Sequence, residues 1–447
     1  MRYTAKELAN AVGGKLIGDE NALVTRAVRD NREVTENTAF FAIRGEKFNG
    51  NDFLEDALLR GASAVIGQRE FVPERGAVIS VSDTVRAMGD FARAIRNGFA
   101  GPVVAVTGSV GKTTTKDMIA CAMGARYLVH KTPENFNNDI GLPLTLFSLP
   151  EESEALILEM GMNHAGELSY LTKIGQPDVA TITNIGLSHI ENLGSQENIL
   201  AAKLEILEGL TPGGTAVLNA DDPFLWGKRN CLPVSALWYG LENPEADVRG
   251  IIEKDAVTVD GEVIRLKVPG YHNRLNAACA MAVAKVLGIP AKSAARGIEG
   301  FLPEGNRQHI IPLKNDILLY NDCYNAAPAS VKAALSVLKD IKKKRSIAVL
   351  GDMFELGDYA PRAHYETGRE AAKAQTDILL TVGVMSLHTG EGAKEAGMSE
   401  DAVFSFADNQ SAIEWLKANL KAGDALLVKG SHGMHMEEIG KALTEEE

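Results

Sequence analysis

What this chain has little of narrows its class before any motif is read. Four cysteines in 447 residues, Cys121, Cys231, Cys279 and Cys323, lie far apart and form no CxxC pair. Neither a disulfide framework nor a cysteine-rich zinc site is indicated, and reduced thiols are expected. No apolar run approaches the roughly 20 residues that a membrane-spanning helix needs. Thr4 to Glu7, ahead of Leu8 and Val12, read as a helix capping box rather than a secretion leader, so a cytoplasmic location is expected. Positive charge is in deficit: 46 Lys and Arg stand against 59 Asp and Glu, a formal net charge of −13. That balance argues against a nucleic-acid or anionic-membrane surface. An anionic ligand must then meet a local cluster, for which Lys112, Arg307 and Lys429 are candidates. There is no HExxH, no GxGxxG and no Ser-His-Asp order signature, which leaves zinc proteolysis, dinucleotide redox chemistry and α/β-hydrolase chemistry without support.

Set against these absences is the segment 101–116, GPVVAVTGSVGKTTTK. Its apolar run at 103–106 reads as a buried strand, and 113 onward as the helix that follows. Between them Gly108, Ser109, Val110 and Gly111 turn the chain so that backbone N–H groups and the positive helix end face an anion. A helix end supplies only about 0.3–2 kcal/mol per charge. Holding a triphosphate therefore also takes the Lys112 ammonium and a metal on the Thr113 hydroxyl, with Thr114 next in line. The glycine usual five residues before Gly111 is Val106 here, so the loop is shorter than the common phosphate-binding form. Nucleotide binding is the expected function of this segment.

Along the chain, short Val/Ile/Leu/Ala runs alternate with helical stretches, the pattern of parallel sheets covered by helices. Strands are expected at 39–44, 63–66 and 78–81, then a helix to about Asn97, with 98–102 as a linker. The middle of the chain adds strands at 155–159, 179–185 and 215–219, a Gly/Asp-rich β-like segment at 247–268 and an Ala-rich helix from 273 to 287. A second boundary falls near 303–307. Strands at 317–321, 346–351, 378–382 and 425–429 then read as another open α/β sheet. A length of 447 residues suits about three domains.

In open α/β sheets ligands collect at the carboxyl ends of the strands. Glu159 closes one such strand, where a carboxylate serves equally as a magnesium ligand or as a helix cap. His189, in NIGLSHI, fits a ligand or a hydrogen-bonding loop histidine. Lys203, alone on a helix, reads as a solvated face. Asn273 and Asn276 begin the Ala-rich helix, where side-chain amides either cap or read a base edge. Asp322, in DCYN, suits nucleotide contacts or an ordinary Asx turn. Lys429-Gly430-Ser431 repeats the strand-to-glycine pattern and reads as a second, weaker anion site.

Taken together these residues resemble the Mur ligases of bacterial cell-wall synthesis. The resemblance rests on TGSVGKTTTK (107–116), ENFNNDIGLP (134–143), EMGMNHAGE (159–167), TNIGLSHIENLGS (183–195), AKLEI (202–206), HNRLN (272–276), DCYNAAP (322–328), GDMFELG (351–357) with His364, and KGSH (429–432). EMGMNHAGE and GDMFELG point to the branch that adds D-alanyl-D-alanine, and the DNPR signature of the diaminopimelate-adding branch is absent. The resemblance implies a three-domain α/β architecture: 1–98, a small N-terminal α/β domain binding the UDP substrate; 99–307, a central P-loop ATPase domain with a parallel sheet; and 308–447, a C-terminal Rossmann-like ligase domain. It implies ATP, Mg2+, UDP-N-acetylmuramoyl-tripeptide and D-Ala-D-Ala as the molecules bound, and a monomer. Lys112 would hold the β- and γ-phosphates, with Thr113 and Glu159 on a first magnesium. His189 and a carbamylated Lys203 would serve a second. Asn273, Asn276, Arg307, Asp322 and Tyr324 would fix the adenosine, with Asn137 and Asn138 near the phosphates. Arg44, Asn163, His164, Asp352 and Lys429 would meet the other substrates. The chain departs from the family at Asp30-Asn31-Arg32, at Asn49-Gly50-Asn51 and at His432, where Asp-Ser-Arg, Asp-Gly-His and arginine are usual.

Overall fold

The computed structural model describes residues 1–254, 256–305 and 307–445. Among these residues the strands form three large sheets, each from one consecutive stretch of chain, plus a two-stranded ribbon near the N-terminus. The first sheet orders its strands Lys15–Gly18, Ala77–Ser80, Ala62–Gly67, Thr38–Phe41 and Arg26–Val28, all parallel except the first pair. The helix Ala5–Val12 starts at Thr4, whose hydroxyl accepts from Glu7 N–H while the Glu7 carboxylate returns to Thr4. That is the capping box read from sequence.

The second sheet has nine strands. Seven run parallel, in the order Val129–Lys131, Ala155–Glu159, Val103–Thr107, Val179–Ile182, Thr215–Asn219, Ser235–Gly240 and Val248–Glu253. Ala256–Val259 and Glu262–Ile264 continue it as an antiparallel edge, so the β-like segment at 247–268 resolves into three strands. Val103–Thr107 lies between Ala155–Glu159 on one side and Val179–Ile182 on the other. The chain therefore reverses direction across the sheet at the carboxyl end of Val103–Thr107, which opens a crevice there.

Strands 103–107 and 155–159 are buried along their whole length, which is why they read as continuous apolar runs instead of alternating ones. The helix Lys112–Met123 is covered by the helix Tyr271–Val286. The stretch Ala277, Ala278, Ala280, Ala282 and Ala284 presents only small side chains, all buried, and lets the two backbones approach. That packing brings Asn273 and Asn276, at the start of the Ala-rich helix, to the start of the helix Lys112–Met123.

The third sheet orders His309–Leu313, Ile317–Asn321, Asp424–Lys429, Arg345–Gly351, Ile378–Val382 and Val403–Phe406, antiparallel only at the first pair. Its edge strands, like Lys15–Gly18 in the first sheet and Val129–Lys131 in the second, are short or interrupted by polar residues and are absent from the pattern reading, as is Ser235–Gly240, an interior strand of the second sheet whose first half is only partly buried. The strand expected over 179–185 stops at Ile182, because 183–186 bend to clasp the loop described below.

The first and second sheets are joined by an aromatic cluster. Phe41 of a first-sheet strand and Phe91 of the helix Thr84–Asn97 stack with Phe147 of the helix Gly141–Phe147, with ring centroids 5.4–6.0 Å apart. Arg96, 7% exposed, donates to the carbonyls of Gly175 and Gln176 at 2.8 Å each. Phe147→Ala should cost about 3–5 kcal/mol of stability in a urea titration, as expected for a buried aromatic. Phe48→Ala, at a side chain left 73% exposed, should change it by less than about 0.5 kcal/mol. Equal effects would mean that the aromatic cluster carries no special share of the junction.

Candidate functional site

The crevice at the end of Val103–Thr107 holds the phosphate-type loop. Gly108 and Gly111 have φ of 150° and 84°, values that a side chain resists. A Cβ on Gly108 would also collide with Thr183. The loop is held from the neighbouring strand's extension. Ser109 N–H donates to Asn184 O at 3.1 Å and Val110 N–H to Asn184 Oδ1 at 3.0 Å. The Val110 carbonyl accepts from Thr183 Oγ1 at 2.6 Å and Asn184 Nδ2 at 2.8 Å. Gly186 N–H reaches Ser109 Oγ at 2.8 Å. Thr183 and Asn184 are thus functional residues that the sequence reading left unassigned, although their motif was noticed.

Lys112 donates to the Gly108 carbonyl at 2.9 Å, laying its ammonium across the loop. Burial pulls its pKa below the ordinary lysine value, against the opposite pull of Glu159, and Arg307 adds to the lowering. Thr113 and Thr114 are buried at the start of the helix, and Thr115 Oγ1 donates to Asn276 Oδ1 at 3.1 Å.

Glu159, 2% exposed, ends the neighbouring strand. Its N–H donates to Thr132 Oγ1 at 2.9 Å and its Oε1 accepts from Asn137 Nδ2 at 2.9 Å. Its Oε2 has no hydrogen-bond partner among the described residues. Lys116, 1% exposed, donates to Thr132 O at 2.8 Å and holds its ammonium 3.9 Å from that oxygen. Glu159 is therefore no helix cap; one oxygen is fixed and the other is aimed and open. Asn138 is different, its Oδ1 accepting from Gly141 N–H at 2.8 Å at the start of the helix Gly141–Phe147.

Lys203 reverses the reading of a solvated helix face. Its side chain on the helix Gln196–Leu204 is 1% exposed and makes no hydrogen bond among the described residues. Burial pushes its pKa well below the lysine range, and the charge of Lys112 pushes it further. His189 stands at the start of the helix Ile190–Leu193 in left-handed backbone, φ 64°, with Nδ1 2.8 Å from Oε2 of Glu355.

At the other end of the crevice the second and third sheets meet. Asn273, fully buried, donates from Nδ2 to Pro269 O and Gln308 Oε1, both at 2.7 Å, and leaves its Oδ1 unpaired. Gln308 N–H donates to Asp322 Oδ1 at 3.1 Å. The Arg307 guanidinium lies 3.7 Å from the Tyr324 ring centroid, and the His432 ring is 5.6 Å from Tyr324. This layer of flat groups offers a stacking surface for a planar heterocycle.

Lys429 does not form the second anion site that its motif suggested. It is 3% exposed, with Nζ 2.6 Å from Asp322 Oδ2 and bonded to the carbonyls of Asp322 and Asn325. Its charge is spent holding the 322–325 turn. Asp352 is likewise engaged, accepting from the N–H groups of Val384, Met385 and Ser386, so its carboxylate builds the turn between Ile378–Val382 and Ser386–Glu395. Asn163 and His164 are exposed, tied to Glu167 at 2.7 and 3.1 Å. Arg44 is exposed and, among the described residues, bridges to Asn49 through its backbone. Asn31 donates to Asp56 at 3.0 Å and Asn49 caps the turn Gly50–Phe53, so these departing residues hold their own loops folded.

Three family models match in series: Mur ligase family, catalytic domain, at 29–96; Mur ligase middle domain at 106–284; and Mur ligase, glutamate ligase domain, at 306–432. A UDP-N-acetylmuramoyl-tripeptide–D-alanyl-D-alanine ligase of Bacillus subtilis is 37% identical over 454 residues, covering 100% of this chain and 99% of that one. MurF from Acinetobacter baumannii superposes with a TM-score of 0.91 at 30% identity, covering 100% and 99% of the two chains. MurF from Thermotoga maritima, solved in complex with ADP, gives 0.83 at 28% identity, covering 94% and 97%.

Lys112→Ala removes a charge-assisted contact of about 1.5–3 kcal/mol and should weaken ATP binding some 10- to 100-fold in calorimetry with the fold intact. Glu159→Gln keeps the Asn137 bond but loses the charge that retains a hard cation, so the magnesium needed for nucleotide binding should rise. An unchanged magnesium dependence would move the cation ligand elsewhere.

Proposed function

The chain belongs to the Mur ligase family, and from that premise we propose that it joins D-alanyl-D-alanine to UDP-N-acetylmuramoyl-tripeptide at the expense of ATP. What carries this reading is the end-to-end likeness to ligases of that name. A carboxylate is a poor electrophile at neutral pH. The tripeptide's terminal carboxylate oxygen therefore takes the γ-phosphoryl group of ATP, releasing ADP and leaving an acyl phosphate. The dipeptide amine attacks its carbonyl carbon, the C–O bond to phosphate breaks, and amide, inorganic phosphate and a proton leave.

The chain's own part is to bind, orient and screen charge. The loop 108–111 and Lys112 take the phosphates. The stacked groups Arg307, Tyr324 and His432, with Asn273, Asn276 and Asp322, hold the adenosine. Magnesium suits the donors present: Thr113 and the open Oε2 of Glu159 for one ion, His189 and a carbamylated Lys203 for another. When bound it neutralises phosphate charge. The carbamate is supported by the chemistry of Lys203. A buried amine repelled by Lys112 gives up its proton more readily than a free lysine, and the neutral amine is the form that adds to carbon dioxide, losing a proton to become a carbamate anion.

We divide the chain into domains at 1–98, 99–307 and 308–447, a division supported by one large sheet in each. The first would take the UDP moiety, with Arg44 at the diphosphate. Asn163 and His164, exposed beyond Glu159, would meet the peptide substrates, while Asp352 and Lys429 act on them through the turns they build. A monomer working in the cytoplasm, where ATP and UDP-linked precursors meet, completes the reading; among the described residues no helix is long and apolar enough to cross a membrane.

Competition between acceptors tests the reaction. Contacts to a peptide bond and a distal carboxylate are lost with a single amino acid, at about 1–3 kcal/mol for each polar group left unpaired. D-Ala-D-Ala should be added to the UDP-muramoyl tripeptide far faster than D-Ala, L-lysine or diaminopimelate is added to the dipeptide. Phosphate release independent of both substrates would instead make the chain a nucleotide switch. For Lys203, replacement by alanine should abolish most activity, and short carboxylic acids should partly restore it by filling the vacated place. A fully active Lys203→Ala enzyme, or an unmodified lysine in intact-mass measurements on native protein, would sink the carbamate.

A further inference from the structure

Glu355 carries a charge that the reaction described above does not use. It lies in the 352–357 loop, which three bonds fix to the third sheet. Met353 N–H donates to His364 Nε2 at 2.9 Å, Phe354 N–H to Ser431 Oγ at 2.9 Å, and Ser431 N–H to Asp352 O at 3.0 Å. From this anchored loop the Glu355 carboxylate reaches the second sheet, where its Oε2 stands 2.8 Å from His189 Nδ1. The N–H direction does not yet line up for a hydrogen bond, and His189 Nδ1 has no aligned partner among the described residues. Both residues have left-handed backbone, φ 63° and 64°, a conformation that costs a non-glycine residue about 1–2 kcal/mol. Gly357, φ 50°, seats against Glu191 beside them. Strain is thus concentrated on the two residues that meet, at the point where two separately folded sheets face each other.

We propose that Glu355 is a positioning residue for His189: its carboxylate, delivered by the third sheet, holds the imidazole proton on Nδ1 and turns the Nε2 lone pair toward the cation. An imidazole coordinates through one nitrogen only when the proton sits on the other, and a carboxylate on that proton fixes tautomer and ring angle together. Because the carboxylate and the histidine belong to different sheets, this ligand is complete only while the sheets stand at this separation. Approach of the third sheet and retention of the second cation are then one event.

The inference rests on the reading of His189 as a cation ligand, so the experiment includes His189→Ala. Mn2+ binding to the ADP complex is followed by electron paramagnetic resonance, magnesium dependence by turnover, and the His189 tautomer by 15N NMR of the cation-free protein. Glu355→Ala should weaken binding of one Mn2+ about 10- to 100-fold and raise the magnesium requirement in parallel. KM for ATP and the melting temperature should hold, and the His189 resonances should move to a mixture of tautomers. Glu355→Gln, whose amide oxygen still accepts from Nδ1–H, should recover much of the loss. If His189→Ala changes cation binding and Glu355→Ala changes neither binding nor tautomer, the positioning role is wrong while the ligand reading stands. If His189→Ala changes nothing, the ligand reading falls and takes the Glu355 assignment with it.

Discussion

A carboxylate with an open oxygen, buried at the end of a parallel strand, has to be balanced without being capped, and much of the central sheet is arranged around that constraint at Glu159. A direct hydrogen bond from a lysine to Oε2 would compensate the charge but occupy the lone pairs. Lys116 stands 3.9 Å away instead, bonded to the Thr132 carbonyl, near enough for attraction and too far to cap. Its own burial is answered by Asp117 at 3.5 Å, Asp117 by Lys131 at 2.7 Å, and Lys131 by Glu304 at 3.0 Å on the surface. The charges alternate from the crevice to solvent. A buried ion pair contributes little net stability by itself, and removing one partner costs more than the pair supplies; such a string is explained by what its inner end holds ready.

The same economy appears at the opposite end of the crevice, where charge is used to shape loops rather than to meet ligand. Asp322 accepts from both Lys429 and Gln308, and the result is a fixed turn that leaves Arg307, Tyr324 and His432 as a layered surface. The layer is assembled from three separate segments of the third sheet's chain. The buried amides Asn273 and Asn276 come from the second sheet, delivered by the Ala-rich helix because its small side chains let it lie close to the phosphate-binding helix. A nucleotide bound here would touch both sheets.

What the sequence discloses and what it conceals divide along physical lines. Central strands such as 155–159 and 317–321 were legible because burial on both faces makes them continuous apolar runs. The loop 108–111 was legible because only glycine tolerates its backbone. Edge strands such as Lys15–Gly18 and His309–Leu313 were not, since none of their residues is fully buried and an edge position leaves the apolar pattern weak. Lys203 illustrates the harder loss. A lysine in AAKLEIL carries the same local signal on a solvated face as in a sealed core, and only the packing of other segments over it separates the two. Lys429 fails the other way: its motif imitates an anion loop, and its neutralisation comes from Asp322, over a hundred residues earlier. Thr183 and Asn184 stood inside a recognised motif, but nothing local says that they bond to Val110.

Lys203 also shows why the site's energetics point outward to its ligands. A buried amine that makes no hydrogen bond costs free energy, and its lowered pKa is the form that cost takes. Lys112 worsens it, since two lysines that repel each other through the same crevice cannot both be justified by the fold alone. Under the function proposed above, negative groups would enter between them: phosphates against Lys112, and a carbamate on Lys203 itself. With those in place the repulsion would become an alternation of sign like that running from Glu159 to Glu304.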